Sequence, residues 1–352
     1  MKSKKKYDRV IMFTNGAIGD FLMAILFLDS IKKILPWSEF IIITPRNIKI
    51  LEELLLAYPK IKAVEINRHN LSGLFFLFIK SVYARTIVFD SVSFGRVYFG
   101  VRLISRFFAI FPASRRLAFS YGKNLINSEN NKTLFDYKKS IYENIVSLFN
   151  KLDFDISFSV PVYNFILDKG AVERNGLEKS SYIVVHPCAS NSARSLPVER
   201  WRKIIEYIIN NFSDMKVAIT GSKKDLSFIK DILSVNKDLS SIVNLAGKLS
   251  MPELTNIINE SNGFVGVDTG ISHLAGVLHK KSLIIGNLSN PSWLPFYNKN
   301  AIILVNDKNC TCDGKKGGDC FYLLEGKKYY KCMIDIPQEF IYKNIKNILL
   351  KD

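Results

Sequence analysis

Apolar and polar positions along the chain follow two periods. Short apolar runs bounded by turn residues read as buried strands, and longer stretches with apolar residues three or four apart read as helices. Val10–Phe13, stopped by Thr14-Asn15-Gly16, predicts a first strand. Phe21–Leu35 predicts a helix in which Leu22, Ile25 and Leu26 part from the polar Asp29 and Lys33; Asp20 falls at the N-cap position and Pro36 ends it. Phe40–Thr44, Val64–Ile66 and Thr86–Phe89 predict further strands, with a helix near Ile48–Tyr58 between the first two of these. This alternation predicts a parallel sheet.

The polar stretch Asp168–Ser181, with Gly170 and Gly176, predicts a linker. Alternation then restarts, with strands at Tyr182–His186, Lys216–Thr220, Ile242–Leu245, Gly263–Val267 and Ser282–Ile285. Helices are predicted at Val198–Phe212, Lys223–Val235, Met251–Ser261 and Ile271–Leu278. The pattern is that of a second doubly wound domain. The expected organisation is therefore an α/β first domain over 1–167, a second over 168–335, and a C-terminal helix over 336–352 that packs back on the first domain.

Composition fits this picture. The chain has 352 residues, 48% hydrophobic and 23% charged, enough for two domains with cores of their own. No apolar run approaches the ~18 residues of a spanning helix. The lysine-rich start leads into an apolar run of only Val10–Phe13, too short for a signal-peptide core, and five cysteines are too few for a disulfide scaffold. The expected compartment is the reducing cytoplasm.

Charge adds a direction. The formal net charge is +17, and residues 68–139 carry 12 basic against 3 acidic side chains. Phosphate-rich partners suit such a field: nucleic acid, anionic lipid or phosphorylated glycan. In the same region Phe94, Tyr98, Phe99, Phe107, Phe108 and Phe111 interleave with Arg96, Arg102 and Arg106. Aromatic-basic interleaving seats a segment at a lipid headgroup layer, or packs a helix on a sheet with its arginines snorkelling.

Ligands of open α/β sheets bind beyond the carboxyl ends of the strands, and three loops there carry polar chemistry. Thr14–Asp20 has two glycines, which permit close backbone approach at a helix start. Asp20 is an ordinary cap there, or a loop carboxylate placed for general-base work. His186–Pro197 supplies hydroxyls, backbone N–H groups and Arg194, which suit a diphosphate. Gly266–Gly276 joins a strand to a helix whose first turn offers the Thr269 and Gly270 N–H groups to an anion, with His273 close behind. Neither GxGxxG nor a P-loop is present, which disfavours a nicotinamide dehydrogenase. Cys310, Cys312, Cys320 and Cys332 lack the second close pair of a usual zinc site and read as reduced structural thiols. No histidine is paired with Cys188, so it is not read as a nucleophile.

Five segments in order resemble glycosyltransferase family 9, the ADP-heptose:lipopolysaccharide heptosyltransferases. They are Ile18-Gly19-Asp20; His186-Pro187-Cys188-Ala189-Ser190; Arg194-Ser195-Leu196-Pro197 with Glu199 and Trp201; Val243–Ser250; and Asp268–Ala275. The resemblance implies a GT-B fold, two Rossmann-like doubly wound domains facing a central cleft, with donor bound mainly by the second domain and acceptor by the first. It implies that Asp20 is the base that deprotonates the acceptor hydroxyl. It implies donor contacts at Ser190, Arg194, Asp268, Thr269, Gly270 and His273, and it directs the search for acceptor contacts to Arg96, Arg102 and Arg106. The implied reaction is inverting and needs no metal and no cofactor. The implied partners are a nucleotide sugar, most simply ADP-heptose, and a phosphorylated glycolipid acceptor at the cytoplasmic face of the inner membrane. Cys188, Arg194 and Leu196 stand where the family pattern has glycine, lysine and tryptophan. Those departures leave open another nucleotide sugar, or a binding module without turnover. Nucleic-acid binding rests on charge alone and has no recognition motif behind it.

Overall fold

A computed structural model describes residues 7–66, 84–90, 115–120, 132–134, 141–150, 165–234, 240–287, 294–295, 298–306, 320–324 and 326–350. The chain divides into two compact units, Met1–Asn164 and Phe165–Asp352.

The first unit holds strands β1 (Arg9–Phe13), β2 (Glu39–Thr44), β3 (Ile61–Glu65), β4 (Thr86–Asp90), β5 (Arg115–Ser120) and β6 (Lys132–Leu134). Their order is β3-β2-β1-β4-β5-β6, and every pairing is parallel. Helices α1 (Ile18–Lys32), α2 (Ile48–Leu55) and α3 (Ile141–Asn150) accompany it. This order reverses between β1 and β4, which is the switch point where doubly wound sheets bind ligands.

Helix α1 departs from the amphipathic expectation. Phe21 through Leu28 are all buried, and polarity is confined to Asp20 in the first turn and to the last turns. Phe27 shows why: its ring meets Phe89 of β4 at 5.5 Å and Phe149 of α3 at 5.1 Å, so the helix is sandwiched between sheet and helix. A helix covered on both sides has no wet face to mark in sequence.

The second unit repeats the topology. Strands β7 (Tyr182–His186), β8 (Lys216–Ile219), β9 (Ile242–Asn244), β10 (Gly263–Val267), β11 (Ser282–Ile285) and β12 (Ala301–Leu304) run in the order β12-β11-β10-β7-β8-β9, all parallel. Its helices are α4 (Ala171–Arg174), α5 (Val198–Asn211), α6 (Leu226–Leu233), α7 (Met251–Glu260), α8 (Gly270–Val277), α9 (Lys331–Ile334) and α10 (Gln338–Leu350). An antiparallel hairpin of β13 (Phe321–Leu324) and β14 (Lys327–Tyr330) precedes α9. The switch point here lies between β7 and β10.

Alternation along the strands builds the core. Ile183 and Val185, Val217 and Ile219, Val265 and Val267, and Leu283 and Ile285 join one cluster with Trp201, Ile204 and Ile208 of α5 and Ile229 and Ile232 of α6. Each such side chain contributes about 1.5–3 kcal/mol through burial. Ile341, Ile345, Ile348 and Leu349 of α10 belong to this same cluster. The C-terminal helix therefore spends its apolar face on the second unit's sheet.

The stretch 168–181 is also folded. Ala171, Val172 and Leu177 are buried, and Arg174 Nη2 reaches Asp168 Oδ2 at 2.6 Å and Glu253 Oε1 at 3.3 Å. Its polar surface sequence hid three inward-facing apolar residues. Ser250 and Glu253 form a capping box at the start of α7, which is why that helix begins at Met251.

Candidate active site

In the first unit the loop Thr14–Ala17 leaves β1 and enters α1. Gly16 adopts φ +78°, and a Cβ there would lie 2.5 Å from Arg46 Cγ and 3.0 Å from both the Arg46 carbonyl and Thr44 Oγ1. The turn between β2 and α2 is strapped to this loop. Arg46 Nε donates to the Asn15 carbonyl at 3.1 Å, and Asn47 Nδ2 donates to the Gly16 carbonyl at 2.6 Å. Asn47 itself takes the left-handed conformation at φ 60°.

Asp20 is not the cap of α1. Ala17 holds that position, and Asp20 is the third helical residue, its carboxylate accepting from the backbone N–H of Ala17 and of Asn15. Asp20 is half-buried as a residue, yet the surroundings of its carboxyl are dry enough that burial pushes its pKa up to about 6. The two N–H donors and the nearby Arg46 charge oppose that shift without cancelling it. Asn15 Oδ1 lies buried in the same loop with no hydrogen-bond partner among the described residues.

In the second unit the loops after β7, β8, β9 and β10 gather at one sheet edge, as the parallel register requires. The segment following β7 is built by short-range contacts. Asn191 caps a three-residue 3₁₀ turn, Ser192–Arg194, and Ser195 Oγ donates to the Pro187 carbonyl at 2.5 Å while accepting from Trp201 Nε1 at 3.2 Å. Trp201 is fully buried and so fixes this loop to the core. Arg194 Nη2 donates to Ser190 Oγ at 2.7 Å.

Asp268 follows β10 directly and is buried at 7% exposure, which pushes its carboxyl up to about 6; the charge of Arg194 works in the opposite sense. Thr269 then caps α8 in extended conformation, with its Oγ1 buried and without a partner among the described residues. Ser272 Oγ donates to the Val267 carbonyl and pins the first turn of the helix to its strand. Gly270 begins the helix, and His273 is buried within it. Gly266 lies where a Cβ would sit 2.8 Å from the Phe264 ring and 3.1 Å from the His186 carbonyl, so β10 and β7 approach closely only with glycine there.

His186 closes the back of the site. Its Nδ1 is 3.0 Å from Thr220 Oγ1, and burial lowers its pKa to about 4, so the ring is neutral at physiological pH. Burial pushes the Cys188 thiol up, which keeps it protonated and unreactive.

Thus Ser190, Arg194, Asp268, Thr269, Gly270 and His273 share one edge of the second unit, and Asp20 stands at the corresponding edge of the first. Arg96, Arg102 and Arg106 lie outside the described residues, as do Cys310 and Cys312. Cys320 and Cys332 are buried. Among the described residues no group of three His, Cys, Asp or Glu side chains could hold a metal ion, and no helix is long and apolar enough to cross a membrane. Sequence reasoning missed Asn15, Arg46, Asn47 and Thr220. Their roles arise from contacts across 31 to 34 positions, which leave no local signal.

The sequence profile of glycosyltransferase family 9 (heptosyltransferase) matches residues 107–319, more than half of the chain. A lipopolysaccharide heptosyltransferase 1 of Campylobacter coli is 24% identical over 246 residues, covering 65% of this chain and 69% of that protein. The solved Escherichia coli ADP-heptose lps heptosyltransferase II superposes with a TM-score of 0.68 at 18% identity, covering 97% of this chain and 98% of that one. An E. coli heptosyltransferase solved with ADP-2-deoxy-2-fluoro heptose superposes with a TM-score of 0.60 at 14% identity, covering 96% and 99%. Two doubly wound parallel sheets on this pattern define an enzyme of the GT-B glycosyltransferase architecture. The chain belongs to glycosyltransferase family 9, the heptosyltransferases.

Proposed function

We propose that the protein transfers a heptose from ADP-heptose to a lipopolysaccharide core or related surface-glycan acceptor, with inversion at the anomeric carbon. The observation that carries this reading is the half-buried Asp20 carboxyl, raised to about 6 at the switch point of the first sheet. A base with that pKa is ionised at neutral pH yet basic enough to accept a hydroxyl proton as the hydroxyl attacks. The names of the relatives supply the donor class and the glycan class.

In this mechanism the acceptor hydroxyl oxygen forms a bond to the anomeric carbon and gives its proton to Asp20. The bond from that carbon to the diphosphate oxygen breaks, and ADP departs with the electron pair. Arg194, the Thr269 hydroxyl and the N–H groups at the start of α8 supply the positive potential on which the diphosphate charge develops. Ser190 orients Arg194, and the Ser272 tie fixes the helix end, so little reorganisation is needed during reaction. Asp268 lines the donor loop, and His273 backs it. The charge stabilisation is drawn from the chain itself, with no metal or cofactor assigned a step. The net charge of +17 suits a phosphorylated glycolipid at the cytoplasmic face of the inner membrane.

The test is transfer by purified protein from ADP-heptose to deep-truncated lipopolysaccharide, with ADP-glucose, UDP- and GDP-sugars in parallel and Asp20→Asn as control. Transfer from ADP-heptose that the variant lacks supports the reading. Transfer from another donor reassigns the sugar, and saturable donor binding without any turnover replaces the enzyme by a binding module.

A further inference from the structure

Large apolar side chains that stay exposed are scattered singly among the described residues, with one exception. Tyr322, Leu323 and Leu324 are consecutive and all exposed, Leu323 to 70%. They make up most of β13, whose partner β14 carries Lys327 and Lys328 and leads into Lys331 at the start of α9. An isolated apolar residue on a surface needs no explanation, whereas a contiguous group marks a contact.

Register sorts this hairpin into layers. Phe321 pairs with Tyr330 and Tyr322 with Tyr329 at its base; Leu323 pairs with Lys328 and Leu324 with Lys327 at its tip, next to Gly326 at φ +74°. The base is packed. Tyr329 is buried, the Phe321 and Tyr330 ring centroids lie 4.7 Å apart, and β14 packs against the Ser192–Arg194 turn. The lysine heads are drawn onto rings. Lys328 Nζ lies 5.9 Å from the Phe321 ring centroid, Lys331 Nζ 5.4 Å from that of Tyr322, and Lys327 Nζ 6.0 Å from that of Phe228 on α6. Leu323 and Leu324 are thus left at the end of the hairpin, with cations and aromatic rings behind them. Lys223, Lys224 and Lys230, in and just before α6, add exposed positive charge beside Phe228. The Asp335 carboxylate is engaged by the Tyr322 hydroxyl.

This order matches one occupant. A nucleic acid would neutralise the lysines and leave Leu323 wet, and a second copy of the hairpin would set lysine against lysine. The surface of an anionic bilayer satisfies both groups, because leucines enter the acyl boundary while lysine stems and aromatic rings lie among the headgroups. The two Leu–Lys pairs span about 7 Å of strand, within the roughly 5–10 Å to which interfacial segments sink.

We infer that the β13–β14 hairpin is a lipid-docking surface of the second unit, which seats Leu323 and Leu324 in an anionic membrane with Lys327, Lys328 and Lys331 on its phosphates. The inference deepens the membrane-face reading of the acceptor and rests on it for its purpose, although lipid binding itself needs neither donor nor acceptor. Because β14 packs against the turn that bears Arg194, a bilayer seated here lies beside the proposed donor loop.

The test is flotation of the full-length protein with vesicles of phosphatidylcholine alone and of phosphatidylcholine mixed with phosphatidylglycerol. Wild type is compared with a Leu323→Ser, Leu324→Ser double variant and a Lys327→Gln, Lys328→Gln double variant. All four side chains are exposed, and thermal melts check that folding is equal. Wild type should bind the mixed vesicles, less tightly as salt rises, and should bind phosphatidylcholine weakly. The lysine variant should lose at least about tenfold in vesicle affinity, since each lysine near an anionic surface contributes roughly fivefold. The leucine variant should lose at least about tenfold through lost apolar burial. Transfer to a deacylated, lipid-free acceptor should be the same in all three proteins. Failure of wild type to bind the mixed vesicles overturns the inference. So does undiminished binding by either double variant, because the surface needs both its leucines and its lysines. Vesicle binding as expected without any sugar transfer would instead refute the proposed reaction and leave the docking surface standing.

Discussion

Arg194 donates from Nη2 to Ser190 Oγ at 2.7 Å, a clasp four residues long that keeps its charge within electrostatic reach of the buried Asp268 carboxyl. The clasp joins two of the proposed donor residues to a third through space. Arg194→Lys keeps the charge but loses the forked geometry, so the KM for the nucleotide sugar should rise about tenfold with a smaller change in kcat. Ser190→Ala should give part of the same effect. Steady-state kinetics with the donor varied checks both.

Asp20→Asn removes the proposed proton acceptor while keeping the shape of the side chain. Transfer should fall by about 10²–10⁴-fold, with donor affinity unchanged by calorimetry. In wild type, kcat/KM for the acceptor should decline below pH about 6, because a base with a raised pKa is lost to protonation as pH falls through that value. Arg46→Ala removes a charge that favours the carboxylate, so the same acid limb should move to higher pH.

Asp268 makes a stability prediction of defined sign. Its folded pKa of about 6 lies above the model-peptide value of 3.8, so the folded state binds more protons between these values and stability drops as pH rises through them. The penalty at neutral pH corresponds to about 3 kcal/mol. Asp268→Asn should therefore raise Tm at pH 8, leave it nearly unchanged at pH 3, and impair donor binding. Thermal melts across that range decide the matter.

His186 should show the opposite slope. Its folded pKa of about 4 lies below the ordinary 6.5, so its contribution is complete above pH about 6.5 and is lost as pH falls toward 4. His186→Gln should flatten that acid-side loss in chemical denaturation measured between pH 4 and 7. Denaturation of the Asp268→Asn and His186→Gln variants separately is needed, because the two slopes offset one another in wild type.

Gly16→Ala tests the geometry of the base loop. The left-handed backbone and the Cβ placed 2.5 Å from Arg46 Cγ should together cost about 1–3 kcal/mol and displace the loop. Transfer should drop more than tenfold even where the protein remains folded, since about 1 Å of misplacement at a reacting group costs on the order of 10²-fold. Circular dichroism beside the transfer assay separates folding from function.

Much of this molecule was legible along the chain. The apolar runs of Tyr182–His186, Gly263–Val267 and Ser282–Ile285 match strands β7, β10 and β11 to the residue. They do so because a strand buried on both faces needs unbroken apolar residues and ends where polar loop residues begin. The proposed donor loops were legible for the same reason: Asp268 to Gly270 follow directly on the end of β10, and Ser190 and Arg194 lie in the loop that begins where β7 ends. Tertiary structure alone decided the rest. It buried α1 on both sides through Phe27, set the apolar face of α10 in the second unit's core, and made Ala17 the cap in place of Asp20. It also set the Asp20 and Asp268 carboxyls near 6, and brought Arg46 and Asn47 to a loop 31 residues away. Local sequence encodes which backbone hydrogen bonds a segment can make and which face it can hide. Desolvation and the company of a charge depend on atoms distant in the chain, and only the folded arrangement of the sheet brings them together.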